Sequence, residues 1–274
     1  NSIGDLEEAL ALFDEVGPDT GGRIYPDRYV AMALLSRLYL YVGNWEGAES
    51  VATQLINAFP LEADLARVFL KDSPETIWQL KADAEFPRNT REAEQLIIQA
   101  VPGQTYALAE DLLEAFEPGD QRSLQWIGSI SDSDNTVTLY YPFKYRAGIN
   151  ETESLEYSIL FRSAEQVLIR AEARLRRGDI TGAQTDINTV SNRAGLSDIT
   201  ATTENTLMDA ILKERRLELF TEQGHRWFDL ARTGRADEVL GNLKPNWQPT
   251  DLLLPTPENE LETNPNLLPQ NPGY

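Results

Sequence analysis

Residues Ala31 to Pro60, AMALLSRLYLYVGNWEGAESVATQLINAFP, decide the fold, because their spacing is that of a tetratricopeptide helix pair. With Gly43 at position fifteen of such a repeat, Leu35 falls at seven, Ser36 at eight, Tyr39 at eleven, Ala48 at twenty, Ala52 at twenty-four and Pro60 at thirty-two. The small residues let two helices approach, Gly43-Asn44 supplies the turn, and Pro60 stops the second helix. The same arithmetic holds around Gly178, with Ala171 at eight, Ala183 at twenty, Ile187 at twenty-four and Val190 at twenty-seven. The two glycines are 135 residues apart, so the repeat is not tandem and something of different character interrupts it. A third helix pair is expected over Leu207 to Arg232.

The interruption, residues 72–150, is rich in turns: Pro87-Arg88-Asn89, Pro102-Gly103, Pro118-Gly119-Asp120, and a Ser/Asp run from Gly128 to Asn135. Two β-prone stretches are predicted in it, Glu75 to Lys81 and Thr136 to Tyr141. Loops of this length on a rigid scaffold are where binding residues concentrate, and Phe86, Tyr106, Phe116, Trp126, Tyr140 and Tyr141 lie in or beside them. The fold class that follows is mainly α: a scaffold of helix pairs with a loop-rich insertion containing short strands. The chain reads as a single domain over 1–274, with helix pairs at 31–60 and 155–235, the insertion at 72–150 and a proline-rich strap at 245–274.

Composition narrows the function. The 274 residues carry 44 Asp and Glu against 24 Lys and Arg, a net charge of −20 that repels phosphate backbones and anionic lipid, so nucleic acid is not expected as a partner. The best apolar window, Tyr29 to Val42, is broken by Ser36 and Arg37 and is too short to span a bilayer. There is no cysteine, hence no disulfide, thiolate nucleophile or zinc-thiolate site. His225 is the sole histidine, and a hydrogen-bonded residue at a helix turn is its expected role. The Ser129 to Asn135 run has oxygen ligands enough for calcium but lacks the D-x-D-x-D-G order, and a solvated loop is the better reading. No metal and no cofactor is called for.

The strap, LLLPTPENELETNPNLLPQNPGY from Leu252 to Tyr274, repeatedly fixes φ and removes backbone donors, so it should lie extended or turned, with a short helix beginning at Pro257. This run resembles the terminal signature of the starch-utilisation-system D / RagB family, surface glycan-binding lipoproteins of Bacteroidetes, whose chains finish with PIP-x-x-E and NPNL-x-QNPGY; here Thr256 replaces Ile and Pro269 lengthens the spacer. LKERRLELFTEQGHRWFDLARTGR, Leu212 to Arg235, is similar to that family's ERR-x-EL-x-x-EG-x-RWFDL-x-R, with Gln223 before Gly224 a mild departure. DLLEAFEPGDQR ending at Arg122, the Lys144-Tyr145 pair, and FRSAEQVLIRAEARLRRGD with INTVSNRAGL are similar to further family segments. The resemblance covers roughly residues 10–274 and implies a tetratricopeptide-like scaffold with a variable loop-rich face. It also implies a further N-terminal portion preceding the first helix pair, with any lipid anchor outside these residues.

What the resemblance implies about function is non-catalytic capture of an oligosaccharide at the outer-membrane surface and its delivery to a TonB-dependent outer-membrane transporter. The family's ligand residues are not part of its shared motifs, so site candidates come from chemistry alone. Sugars stack their C–H faces on aromatic rings and need amide, carboxylate or guanidinium partners for their hydroxyls. Trp126 beside Gln125 fits best, followed by Phe86 with Arg88 and Asn89, and Tyr106 with Gln104; core packing competes with ligand contact for each ring. Two rivals stand: a tetratricopeptide scaffold binding peptides, and a glycoside hydrolase. Glu214, Glu218 and Glu222 share one helical face and raise the second, but structural ion pairing is the stronger reading, with Arg215 on the packed face and Arg216, Arg226 and Arg232 supplying cations nearby.

Overall fold

A computed structural model describes residues 2–16, 21–82, 88–102 and 106–274. The chain forms two compact units, Asn1–Gln223 and Gly224–Tyr274, and the boundary falls within the stretch read as a third helix pair. Twelve α-helices and four short strands among the described residues make the fold mainly α, as predicted.

In the first unit, α1 (Ser2–Val16) precedes the predicted pair α2 (Arg28–Val42) and α3 (Trp45–Ala58). Asp27 caps α2 by accepting hydrogen bonds from the Tyr29 and Val30 amides. The turn between α2 and α3 needs Gly43 at φ 74°, a left-handed conformation that a side chain disfavours. Asn44 then caps α3 through the Gly47 amide at 3.1 Å. Ser36, Ala48 and Ala52, the small residues at repeat positions, are fully buried.

Three short helices follow in the insertion, α4 (Glu92–Leu96), α5 (Glu110–Leu113) and α6 (Gln121–Gln125), and then the second pair, α7 (Ser163–Arg176) and α8 (Ile180–Arg193). Its turn repeats the first: Gly178 sits at φ 86° and Asp179 caps α8 through the Gly182 amide at 2.8 Å. Helix α9 (Glu204–Glu218), capped by Thr203, packs on both members of that pair, burying Leu207 and Ile211 with Ala171, Ala183 and Ile187.

The insertion holds more β structure than the sequence suggests. Predicted strand β1 (Thr76–Leu80) pairs antiparallel with β4 (Ser158–Arg162), which runs directly into α7. Predicted strand β3 (Thr138–Pro142) pairs antiparallel with β2 (Ile127–Ser131), in register Ser129↔Tyr140 and Ser131↔Thr138. Strand β2 occupies a stretch read as loop. Its sequence IGSIS has weak strand propensity, and the ladder to β3 supplies what the propensity lacks. Asp132 closes the hairpin by accepting from the Thr136 and Val137 amides at 2.7 and 3.2 Å, so its carboxylate serves the turn.

The second unit contains α10 (His225–Arg232), α11 (Ala236–Leu243) and α12 (Glu258–Thr263). His225 opens α10 and is buried. Helix α12 begins directly after Pro257, where the strap was predicted to turn helical. Side-chain amides replace the backbone donors that proline removes. Gln270 accepts from the Thr256 amide and donates to the Thr256 carbonyl, both at 2.8 Å, and Asn271 donates to the Leu254 carbonyl at 2.7 Å.

Candidate functional site

The insertion is fastened to the helical scaffold by a buried network of charged side chains. Arg122, on α6, is fully buried and bridges Asp120 at 2.8 Å, Glu214 at 2.5 Å and Glu218 at 3.3 Å. Arg162, the last residue of β4, reaches Glu75 at 2.9 Å, Glu218 at 2.6 Å and Glu222 at 2.7 Å. Arg193, from the end of α8, meets Glu75 and Glu218 at 2.5 Å each. Lys144 donates to Glu222 at 2.6 Å and to the carbonyls of Glu218 and Phe220. Its ammonium also lies over the rings of Phe220, Trp126 and Phe69, at 4.0, 4.9 and 5.3 Å from their centroids.

Ion pairing is thus the role of Glu214, Glu218 and Glu222, with partners other than those expected. Their cations come from residues 122, 144, 162 and 193, whereas Arg216 pairs with Asp111 and Arg232 with Asp229. Buried and paired carboxylates of this kind cannot reach a glycosidic bond.

Burial and charge oppose each other within the network. Burial pulls the Lys144 ammonium down to about 8 despite Glu222 beside it. Burial alone would raise Glu222, yet the Arg162 and Lys144 charges hold its carboxyl down at about 2; Arg193, Arg162 and Arg122 hold Glu218 well below the usual carboxylate range in the same way. Burial pushes Glu214 up, against the pull of Arg122.

A group depressed on folding contributes stability above its unfolded pKa and loses it as pH falls through the folded value. For Glu222 that window runs from the ordinary glutamate value near 4.5 down to about 2. Glu222→Gln should therefore cost about 3 kcal/mol at pH 7. The difference from the parent should shrink steadily as urea unfolding is repeated from pH 5 toward pH 3. A gap that stays constant over that range would rule out the carboxylate charge as its source.

The aromatic candidates divide sharply. Trp126 is fully buried: its indole N–H donates to the Leu65 carbonyl at 2.9 Å, and its ring meets Phe69 edge-on at 5.5 Å. The structure corrects its expected place on a ligand surface, because the ring fills a core shared by the insertion and the scaffold, against Val68, Leu217 and Phe220. Asn89 is also buried. Its Oδ1 accepts from the Leu155 and Glu156 amides at 2.7 and 3.0 Å and its Nδ2 donates to the Glu153 carbonyl, so it clamps a loop. Gln125 is half-buried, and its carbonyls receive the Arg146 guanidinium. Arg88 is exposed, and Phe86 and Gln104 lie outside the described residues. Tyr106 is 63% exposed.

A ring not singled out from sequence joins Tyr106. Tyr140 on β3 is 42% exposed and stands directly across the ladder from Ser129. The Leu108 amide donates to the Tyr140 carbonyl at 2.7 Å, which ties the segment after Tyr106 to β3. Beside Tyr140 lies an open groove of about 440 Å³ with Leu113, Phe116 and Ile127 as apolar lining and Glu110, Glu114 and Ser123 as polar groups. An exposed ring, an apolar floor and several hydroxyl and carboxylate acceptors are what a sugar face and its hydroxyls require. A second depression, of about 480 Å³, lies between the loop after α8 and α9; it has no aromatic lining, and Lys213 and Asp198 at its edge pair with Glu117 and Asn192. Tyr140 was legible in the alternation Thr138-Leu139-Tyr140-Tyr141, which sends Tyr140 to one face of the hairpin and Tyr141 to the other, toward Phe143.

The SusD family model matches residues 103–274, more than half of the chain. This chain belongs to the SusD family. It is 27% identical to the SusD-like protein P38 of Formosa agariphila over an alignment of 300 positions covering 87% of this chain and 58% of the relative, so it spans less than two thirds of that relative's length. Among solved structures it is similar to surface glycan-binding protein A of Bacteroides uniformis, with TM-score 0.77 and 23% identity over 98% of this chain and 67% of that one. A laminarin-binding SusD-like protein gives TM-score 0.76 and 23% identity over 99% and 68%. Likeness at these identities establishes the SusD fold. The segments by which the sequence resembles the family supply all of the buried network except Glu75: Asp120 and Arg122, Lys144, Arg162, Arg193, and Glu214, Glu218 and Glu222. In this SusD chain those signature residues hold the insertion to the helices, while Tyr106 and Tyr140 face outward from it.

Proposed function

We propose that this chain captures an oligosaccharide nutrient at the cell surface without chemistry, on the face formed by Tyr106, Tyr140 and the adjoining groove. The captured sugar passes to a TonB-dependent outer-membrane transporter, and the protein is held at the outer membrane by a lipid anchor. The observation that carries the reading is the exposed Tyr140 ring beside an apolar groove edged with hydroxyl and carboxylate acceptors. The names of similar proteins, one a surface glycan-binding protein and one laminarin-binding, support it.

Binding without turnover is favoured by the state of the acids. A glycosidase needs one carboxyl held protonated near neutral pH, which burial ordinarily achieves. Glu110 and Glu114, the carboxylates of the groove, are exposed, and those of α9 are locked in ion pairs. Isothermal titration against a panel of plant, algal and host oligosaccharides tests the reading. Tyr140→Ala and Tyr106→Ala should each weaken binding about tenfold, equivalent to about 1.4 kcal/mol, with urea stability unchanged within about 0.5 kcal/mol. No reducing ends should appear on prolonged incubation. Affinity indifferent to both tyrosines would remove the site from this face, and accumulating reducing ends would make the protein a hydrolase.

A further inference from the structure

The groove beside Tyr140 lies in a stretch of unusual charge. Residues 92–143 contain nine Asp and Glu but a single cation, Arg122. That cation is fully buried and already committed to Asp120, Glu214 and Glu218. Among the described residues no arginine or lysine lines the groove, whereas Glu110 and Glu114 do, both exposed on and just after α5. The nearest cations on the neighbouring elements are spoken for: Arg216 by Asp111, Lys213 by Glu117, and Arg146 by the Gln125 and Phe143 carbonyls. Arg88 is exposed but does not line the groove. Residues 83–87 and 103–105, which lie outside the description, contain no lysine or arginine.

These observations point to a ligand class. We infer that the groove selects uncharged glycans and excludes those bearing uronate or sulfate groups, with Glu110 and Glu114 as the filter. The inference rests on the glycan-binding reading above and adds the charge of the ligand to it. A carboxylate has only acceptors to offer, so it bonds well to a neutral sugar whose hydroxyls donate. A uronate or sulfate ester is likewise all acceptor and carries the same sign of charge. It meets two carboxylates with no guanidinium to bridge them, and this repulsion acts within a Debye length, about 8 Å at physiological salt.

The test is titration with matched probes: laminarin and galactomannan as neutral polymers, polygalacturonate and carrageenan as anionic ones, at low and high salt. Wild type, Tyr140→Ala and the double variant Glu110→Gln/Glu114→Gln are compared, with circular dichroism as the check on folding. Wild type should bind a neutral polymer with an affinity that depends on Tyr140 and barely changes with salt. Both anionic polymers should bind at least tenfold more weakly, and the double variant should regain several-fold on them. Tyr140-dependent binding of an anionic polymer by wild type as tight as that of a neutral one would overturn the charge filter while leaving the glycan site in place. So would a double variant that gains nothing. Binding to none of the polymers, or binding that Tyr140→Ala leaves intact, would overturn the site itself and the filter with it.

Discussion

Arg162→Met should cost about 3–5 kcal/mol, a large part of the roughly 5–15 kcal/mol that holds a typical domain together. Arg162 is fully buried, and its guanidinium satisfies Glu75, Glu218 and Glu222 together with the Glu218 carbonyl at 2.8 Å. A methionine fills much of the same volume and removes every one of those donors. Glu75, Glu218 and Glu222 are then left with Arg193, Lys144 and the more distant Arg122, in surroundings where an uncompensated charge is far costlier than in water. Arg162→Lys keeps the charge but offers three donors from one point in place of a planar fork, so it should recover only part of the loss. Urea unfolding at pH 7 followed by circular dichroism measures both variants. An Arg162→Met protein within about 1 kcal/mol of the parent would mean that the network is not what fastens β4 to α9.

The second large effect falls on Trp126. Trp126→Ala should destabilise the protein by about 3–5 kcal/mol, because it leaves a cavity in the core shared by the insertion and the scaffold. The deletion also strips the Leu65 carbonyl of its donor and removes one of the three rings around the Lys144 ammonium. Trp126→Phe keeps most of the packing and loses the N–H, and about 1–2 kcal/mol is expected for it. The contrast with Tyr140→Ala is the useful part. The buried ring should change stability, with any change in sugar binding only a consequence of unfolding. The exposed ring should change binding and leave stability alone. Reversal of that pattern would mean that the insertion rearranges when it meets a ligand.

Both predictions concern side chains whose type was plain from sequence and whose surroundings were not. Glu214 and Glu218 stand four apart on α9, so their common face follows from helix geometry alone, whereas Glu222, expected on that same face, lies past the end of the helix and beyond Thr221 at φ 60°, and only tertiary contacts bring it to them. Their partners come from residues 122, 144, 162 and 193, tens of residues away, and no local spacing announces them. The same is true of the aromatics. Trp126 beside Gln125 has the composition of a sugar platform, but whether a ring points inward depends on what packs over it, here Phe69 and Phe220.

The sequence by itself determined the helix pairs, their turns and the strap, because each is a local requirement. Gly43 and Gly178 are needed where the backbone turns left-handed, alanines where helices touch, and side-chain amides where prolines leave carbonyls and amides without backbone partners. Tertiary structure alone decided the rest. It turned Ile127–Ser131 into a strand by lending it a partner, drew four cations and five carboxylates into one buried network, and set Tyr140 outward and Trp126 inward. Pairing, burial and charge neutralisation are properties of neighbours in space, and the chain must fold before those neighbours exist.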